Sequence, residues 1–597
     1  MASVTTEELD ERVEGRTVTS MFLDRVAASP HQVALRWKDG EFWGELSWRE
    51  WADGSARVAT ALQSMGIGPG DRVLLMMRNR PEFHIADVGA LLVGATPISV
   101  YNSSSPEQVA YLCGHSHAKV AIVEDTGYLS RFTEVRGELP DLEHLVLVDG
   151  EVGGDVRSWE SLLAHEPAEL DTAAKLCTPG DLATVIYTSG TTGPPKGVQI
   201  THRNVVFTVE SYRALLGEIE NLRIVSYLPM AHVAERLHGH WLAMASGFEV
   251  TTCPDAGMIG SYTAAVRPES MFGVPRVWEK MHAAAEGMLA KNEEVAAGFA
   301  EARRVALPLQ LARRFRDLTD VEQKTLDDLD RTLLAPARRL LGLDAARFAV
   351  TGAAPIPVEV FEWFVAIGVA FSEIYGMSEN TGPLTWEPWR IKPGTVGKAL
   401  PGIEIRLADD GEILARGGNI FPGYLDDPEK TAEALDTEGW LHTGDIGVLD
   451  EEGYLRIVDR KKELIITAGG KNISPANLES AMRAIPLVGQ ACAIGDGRKF
   501  VSALITLDPD GARAWADTHG RPDATFAELA TDPEVVADLN AAVERAMENF
   551  NHAEAVKKFT ILPEEWVPDS DELTPTAKLK RRNIHAKFAA EIEAMYR

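Results

Sequence analysis

Residues 182–198 read LATVIYTSGTTGPPKGV. An apolar run rich in β-branched residues gives way at once to a polar, glycine-rich, cationic loop. The run predicts a buried strand. Gly190, Gly193 and Gly197 permit backbone angles that other residues resist, and they let main-chain N–H groups come close to a ligand. Thr188, Ser189, Thr191 and Thr192 add hydroxyl donors, and Lys196 adds a positive charge. Together these residues form a cradle for a polyphosphate. The spacing is not that of the P-loop GxxxxGK[ST], because Gly197 follows Lys196 where Ser or Thr would be needed.

Outward from that loop, short apolar runs recur: RVLLMM, KVAIVE, HLVLVD, RIVSYLP and RFAVTGAA. Helix-patterned segments such as WREWADGSARVATALQSMG lie between many of them. The alternation predicts an α/β architecture with largely buried sheets. From about His282 to Leu343 no strand-like run occurs, and Ala, Leu, Glu and Arg predict two or three helices broken near Pro308 and Pro336. Within that stretch RRVALPLQLARRF admits two readings, a membrane-surface patch and a solvated helical hairpin packed on the body. The hairpin is the expectation. A boundary falls at VDRKKELI, near Asp459. After it, VSALITL and NAAVERAMENF predict a small α+β domain.

The chain has 597 residues, 45% hydrophobic and 25% charged, which are ordinary globular values. Lys+Arg 59 against Asp+Glu 89 gives a formal net charge of -30. That argues against nucleic acid as a partner. Any anionic substrate must then be held by a local cluster of cations. The cysteines are Cys113, Cys177, Cys253 and Cys492, with no CxxC pair, so neither a disulfide framework nor a zinc site is expected. A reducing cytoplasm is the default. MASVTTEELDERVEGR is acidic and polar, unlike a signal peptide. IADVGALLVGATPISV is interrupted by Asp87 and Pro97 and is too short to span a bilayer.

Further motifs follow the phosphate cradle in order. In TGAAPIP (351–357), Gly352, Ala353 and Ala354 leave room for a flat ring against the backbone. In EIYGMSENTG (373–382), Tyr375 offers an aromatic face and Glu379 a hard carboxylate suited to Mg²⁺, with Gly376, Met377 and Ser378 between them. GWLHTGDIG (439–447) places Asp445 between glycines, a carboxylate able to accept from a vicinal diol. VDRKKELIITAGGKNISP (458–475) carries Asp459, Arg460 and the glycines of AGGK. LTPTAKLKRRNI (573–584) carries Lys578 and Lys580.

This ordered series, spanning residues 187 to 582, resembles the adenylate-forming superfamily of acyl-CoA synthetases, peptide-synthetase adenylation domains and beetle luciferases. The resemblance implies a large N-terminal domain (1–458) of α/β layered sheets with a β-rich subdomain, and a small mobile α+β C-terminal domain (459–597) turning about Asp459. It implies that 188–193 and Lys196 hold the ATP phosphates and that Gly352–Ala354 and Tyr375–Ser378 hold adenine. It further implies that Asp445 and Arg460 hold ribose, and that Glu379 holds Mg²⁺ with a hydroxyl such as that of Thr188. Lys578 matches the catalytic lysine. Many members read Gly-Lys where this chain reads Ala-Lys, and Lys580 is the competing assignment. Gly469, Gly470 and Lys471 match a loop that approaches coenzyme A. LPMAHVAERLHGHW (228–241) matches a segment lining the acyl site and puts His232 near the substrate carboxylate. GVPRVWEKM (273–281) and the helical stretch after it resemble the long-chain acyl-CoA synthetase branch.

The implied chemistry has two half-reactions: a fatty carboxylate attacks the α-phosphorus of ATP, then the thiol of coenzyme A takes the acyl group and releases AMP. Four other readings stand beside it: a fatty acyl-AMP ligase, a shorter-chain or aryl acyl-CoA ligase, an amino-acid adenylation domain and a catalytically dead scaffold. The sequence leaves monomer or homodimer, and peripheral membrane contact, open.

Overall fold

The computed structural model describes residues 4–188, 194–217, 219–467, 472–548, 550–552, 554–568, 570–574 and 577–597. The apolar runs become the strands Arg72–Met76, Val120–Val123, His144–Leu147, Leu182–Thr188, Arg223–Ser226 and Phe348–Thr351. The patterned stretch after Ser47 becomes the helix Trp48–Ser64. Ser47 and Glu50 close a capping box at its start, and Trp48, Trp51, Val58 and Leu62 are among its buried residues.

One layer is a five-stranded parallel sheet in the order Thr96–Ser99, Arg72–Met76, Val120–Val123, His144–Leu147, Arg157–Ser158. Its inner strands are buried on both faces, which is why their sequences are continuously apolar. A second sheet runs Ser270–Gly273, Phe348–Thr351, Phe371–Met377, Gly382–Trp386, Lys398–Ala399. Its first three strands are parallel and the rest antiparallel. An antiparallel sheet follows, Glu404–Leu407, Glu412–Arg416, Leu441–Leu449 and Leu455–Arg460. In Leu441–Leu449 buried and half-buried residues mostly alternate, as expected of a sheet with one packed face. Gly352–Ala354 and Ser378–Glu379 sit just beyond the carboxyl ends of two parallel strands, where α/β sheets bind ligands.

Beyond Arg460 the core is built separately. One apolar cluster draws on Ile465 through Val556 and another on Cys492 through Met595. The strands Val488–Ile494, Val501–Leu507 and Val556–Leu562 form one sheet, with the helices Pro475–Arg483 and Pro533–Met547 in the same part of the chain.

The stretch 282–343 holds no strand, as expected, but its prolines do not break it as expected. The helix Glu293–Ala312 runs through Pro308. A proline there forfeits one backbone hydrogen bond. Phe299, Ala302 and Ala306 before the proline pack into the same apolar cluster as Trp363 and Phe364, and Leu309 and Leu311 after it pack against that cluster, so burial holds the helix on both sides. Pro336 lies in the first turn of Ala335–Leu340, where its missing N–H is tolerated, after a wider π-turn at Asp330–Leu334. No helix among the described residues is long and apolar enough to cross a membrane.

Candidate functional site

The strands Leu182–Thr188 and Lys196–Thr201 form a hairpin with Thr188 opposite Lys196. Ser189, Gly190, Thr191, Thr192 and Gly193, at its turn, lie outside the described residues. The far side of the hairpin is anchored twice. The Tyr111 hydroxyl donates to the Pro195 carbonyl at 2.9 Å. The segment 423–425 adds to the strand edge, with Leu425 N donating to Gly197 O and Gln199 N to Gly423 O. That pairing lays Tyr424 beside Lys196, whose Nζ stands 4.6 Å from the ring centroid. The Tyr424 hydroxyl donates to Glu379 Oε1 at 2.8 Å. Sequence reasoning did not single out Tyr424.

Gly352 and Gly376 have structural reasons to be glycine. A Cβ on Gly352 would lie 2.8 Å from the Ile374 side chain, and one on Gly376 would lie 1.7 Å from Gly382 O. Ala353 and Ala354 are exposed, and Ala353 adopts φ +70, a left-handed conformation costly for alanine. Met377 N donates to Asn380 Oδ1, which fixes the turn that presents Ser378 and Glu379.

Tyr375 is tied to Asp445 by a 2.6 Å hydrogen bond from its phenol to Oδ2. Arg460 lies opposite Asp445 on the next strand, with Nε 3.5 Å from Oδ1. Burial pushes the Asp445 carboxyl above its ordinary range, and Arg460 only partly offsets this. Both Asp445 oxygens therefore already have a protein neighbour, and a sugar diol would share them. Glu373, two residues before Tyr375 and on the same face of the strand, was also missed. Its carboxyl has no hydrogen-bond partner among the described residues, and burial pushes it up to about 8.

Lys578 enters this cleft from the C-terminal part of the chain. The side chain itself is exposed, and the groups around it shift its pKa. The loss of bulk water and the charge of Arg460 lower its pKa, while Asp445, Glu379 and Glu463 act against them. Lys580 points elsewhere, its Nζ donating to Ser570 O at 2.7 Å. Ala577, directly before Lys578, has φ +58, the conformation that glycine adopts freely. His232 shares the neighbourhood. Burial, and behind it the Lys578 charge, lower its pKa to about 4. Its Nδ1 accepts from Ala234 N at 3.2 Å, capping a short helix. A neutral imidazole so held carries its proton on Nε2 and offers a donor.

The helical turns after His232 are anchored by a buried polar chain. Arg236, 1% exposed, pairs with Asp87 at 2.7 Å. His240 Nε2 lies 2.9 Å from the other Asp87 oxygen, and His240 Nδ1 lies 2.9 Å from His84 Nδ1. The Asp87 that interrupts an apolar run is thus paid for by partners far along the chain.

Asp459 accepts from the Ser474 hydroxyl at 2.5 Å and from Ala476 N at 3.2 Å, at the start of the helix Pro475–Arg483. Gly469, Gly470 and Lys471 lie outside the described residues. Arg581 makes a bidentate pair with Glu479 and reaches Glu463, locking the segment after Lys578 to the segment after Arg460. All four cysteines are free and buried, and burial pushes each thiol up to about 12.

Among the described residues no three His, Cys, Asp or Glu side chains gather into a metal cage. Glu379, 8% exposed, keeps Oε2 without a hydrogen-bond partner among the described residues. One carboxylate oxygen supplemented by phosphate oxygens is a donor set that Mg²⁺ accepts in nucleotide sites, so these residues fit that ion.

Residues 22–425 match the family described as AMP-binding enzyme, and residues 462–597 match the AMP-binding enzyme C-terminal domain. The chain is 36% identical over 596 residues to the long-chain-fatty-acid–CoA ligase FadD15 of Mycobacterium bovis, covering 98% of this chain and 97% of that one. It is 32% identical to the long-chain-fatty-acid–CoA ligase ACSBG2 of Xenopus laevis, covering 97% and 84%. Its fold is similar to the A-PCP didomain of a carboxylic acid reductase from Segniliparus rugosus in complex with AMP (TM-score 0.77, 19% identity, 100% of this chain and 84% of that one). It is also similar to the anthranilate CoA ligase AuaEII in complex with anthranoyl-AMP (TM-score 0.73, 20% identity, 97% and 98%).

Proposed function

The chain belongs to the AMP-binding enzyme family, and from that premise we propose that it activates a long-chain fatty acid with ATP to the acyl-adenylate and transfers the acyl group to coenzyme A. The observation that carries the reading is convergence. Lys578 comes from the C-terminal part of the chain, while His232 at a helix cap, Glu379 in the turn after Phe371–Met377 and Asp445 on the strand Leu441–Leu449 come from the large part. The charges of Asp445 and Glu379 act on Lys578, and that of Lys578 acts on His232.

A carboxylate is a poor electrophile because its oxygen is a poor leaving group, and adenylation supplies a better one. Nucleophile and target are both anionic, so the first step needs positive charge around the α-phosphate. Lys578 and Lys196 supply it. No general base is needed, since the carboxylate is ionised at neutral pH. The neutral imidazole of His232 donates from Nε2 toward the acyl carboxylate. Asp445 and Arg460 take the ribose, the Gly352–Ala354 and Tyr375–Ser378 walls take the base, and Glu373, kept protonated at neutral pH by burial, adds a donor there. Glu379, with Thr188, holds Mg²⁺, which when bound neutralises phosphate charge.

In the second step the thiol attacks the acyl carbonyl, and AMP leaves. We assign the approach of coenzyme A to the loop with Gly469, Gly470 and Lys471, and the pivot to Asp459, between parts 1–458 and 459–597. The arginines of the helical stretch support a solvated hairpin over a basic membrane patch. Within RRVALPLQLARRF, Arg303 pairs with Glu286, Arg304 with Glu301, and Arg313 bonds Gln310.

The test is product analysis by mass spectrometry with ATP, Mg²⁺, coenzyme A and acids from acetate to long fatty acids, with benzoate. Thioester from long acids is expected. Acyl-adenylate without thioester would move the chain to the acyl-AMP ligases, and no product from any acid would leave the amino-acid adenylation and dead-scaffold readings.

A further inference from the structure

The Tyr424 side chain touches both Lys196 and Glu379. Its hydroxyl donates to Glu379 Oε1 at 2.8 Å, and its ring lies 4.6 Å from Lys196 Nζ. The two groups it joins come from different structures. Lys196 stands at the exit of the phosphate hairpin, and Glu379 in the turn after the strand Phe371–Met377.

The placement of Tyr424 is itself constrained. Tyr424 N donates to Thr431 Oγ1 at 2.9 Å. Its neighbours Gly423 and Leu425 bond to the strand that begins at Lys196. Gly423 has φ +147, and a Cβ there would lie 2.6 Å from the Thr431 side chain. Phe421, whose own N–H donates to Glu379 O, packs edge-on against the Tyr424 ring. Backbone and ring contacts therefore hold the phenol where it is, independently of any ligand.

We propose that Tyr424 is a positioning residue for nucleotide activation: it fixes Glu379 and Lys196 relative to each other and makes Glu379 a one-oxygen ligand. The chemistry is direct. A carboxylate can bind a cation through one oxygen or both. With one lone pair of Oε1 taken by the phenol, Oε2, which has no hydrogen-bond partner among the described residues, is the oxygen favoured for a cation. A small octahedral ion that keeps several waters is suited by such a ligand, whereas a larger ion favours two-oxygen contact. The ring has a separate task. Its face attracts the Lys196 ammonium and holds it on the hairpin axis. One residue thus carries two separable functions, hydroxyl toward the metal carboxylate and ring toward the phosphate lysine. This inference rests on the reading that Glu379 holds the metal ion of the nucleotide.

Two variants separate the functions. Tyr424→Phe keeps the ring and loses the hydroxyl, and Tyr424→Leu loses both. ATP binding to the full chain is measured by calorimetry with EDTA, with Mg²⁺ and with Ca²⁺, beside Glu379→Gln and the unaltered protein, and each variant's melting temperature is recorded. For Tyr424→Phe, the expected result is unchanged metal-free binding, a gain from Mg²⁺ about tenfold smaller, and relatively better acceptance of Ca²⁺. Tyr424→Leu is expected to weaken metal-free binding as well. If Tyr424→Phe retains the full Mg²⁺ gain while Glu379→Gln loses it, the positioning role is wrong and the metal assignment stands. If Glu379→Gln also retains the gain, the metal assignment itself is wrong. If Tyr424→Phe melts early and loses metal-free and Mg²⁺-dependent binding alike, the hydroxyl is a fold contact and the proposal is overturned.

Discussion

Thr574 and Lys578 exchange two hydrogen bonds: Lys578 N donates to Thr574 Oγ1 at 3.0 Å, and Thr574 N donates to Lys578 O at 2.8 Å. Leu573 and Leu579 bridge just outside them. These bonds fix the backbone at Lys578, and Lys580 is turned back onto Ser570 O. Lys578→Ala is therefore expected to cut acyl-adenylate formation a hundred- to a thousandfold, about 3–4 kcal/mol of barrier. It should spare thioester formation from supplied acyl-adenylate. Lys580→Ala should leave adenylation within a few fold of the unaltered protein. Single-turnover assays of each half-reaction check both, and the assignment fails if Lys580→Ala is the more damaging.

The lowered pKa of Lys578 has a kinetic sign. The step needs the protonated amine, so kcat/KM for ATP in adenylation should fall as pH rises through a value below the ordinary lysine range. Lys578→Arg should move that limb to higher pH. His232, at about 4, is neutral throughout the working range and should add no limb between pH 6 and 8. A pH profile from 6 to 10.5 decides this, and an alkaline limb unchanged by Lys578→Arg would exclude the lysine as its source.

Ala577 occupies a left-handed conformation, φ +58, immediately before Lys578. Such a conformation costs an L-residue about 1–2 kcal/mol, while glycine pays about 0.5–1 kcal/mol in entropy of the unfolded chain. Ala577→Gly should thus be neutral to slightly stabilising and should keep adenylation, whereas Ala577→Val should impair it. Thermal melts and adenylation rates of the two variants test this. Equal loss in both would mean that the Ala577 methyl group, not the backbone angle, is what the loop requires.

Much of this was legible in the sequence for identifiable reasons. Buried parallel strands announce themselves as short apolar runs, and each run read as a strand became one, whereas the run around Asp87 became the helix Pro81–Leu91. Tyr375, Glu379, Asp445, Arg460 and Lys578 sit in local strings whose order carries meaning, and the fold gathers them into one cleft. What could not be read were relationships across the chain. Nothing near Tyr424 reveals that its hydroxyl meets Glu379, because that contact depends on 423–425 pairing with the strand after Lys196. Asp87 was visible as an oddity in an apolar run, but its partners Arg236 and His240 were not. Pro308 was misread because local propensity favours a break, while the burial of Phe299, Ala302 and Ala306 holds the helix through it. Arg276, inside a stretch noted only for its resemblance, proves to reach the other part of the chain.

That contact supports a last prediction. Arg276 pairs with Asp508, and Lys280 lies 3.5 Å from Asp510. Both bonds join the helix Pro275–Leu289 of the large part to the start of the helix Pro509–Thr518 in the part that carries Lys578. Partly exposed ion pairs contribute about 0–1 kcal/mol each and are screened by salt. Small as they are, they bias the arrangement in which Lys578 stands in the cleft. Asp508 also caps its own helix, Oδ1 accepting from Gly511 N at 2.9 Å. Asp508→Asn keeps a competent cap and removes only the charge. Asp508→Asn and Arg276→Gln should each slow adenylation about threefold at low salt. The double variant should be no slower than either single one, and the difference from the unaltered protein should fade as salt rises. Thioester formation from supplied acyl-adenylate should not slow. Additive losses in the double variant, or equal losses in both half-reactions, would show that the pair serves general stability rather than the seating of Lys578.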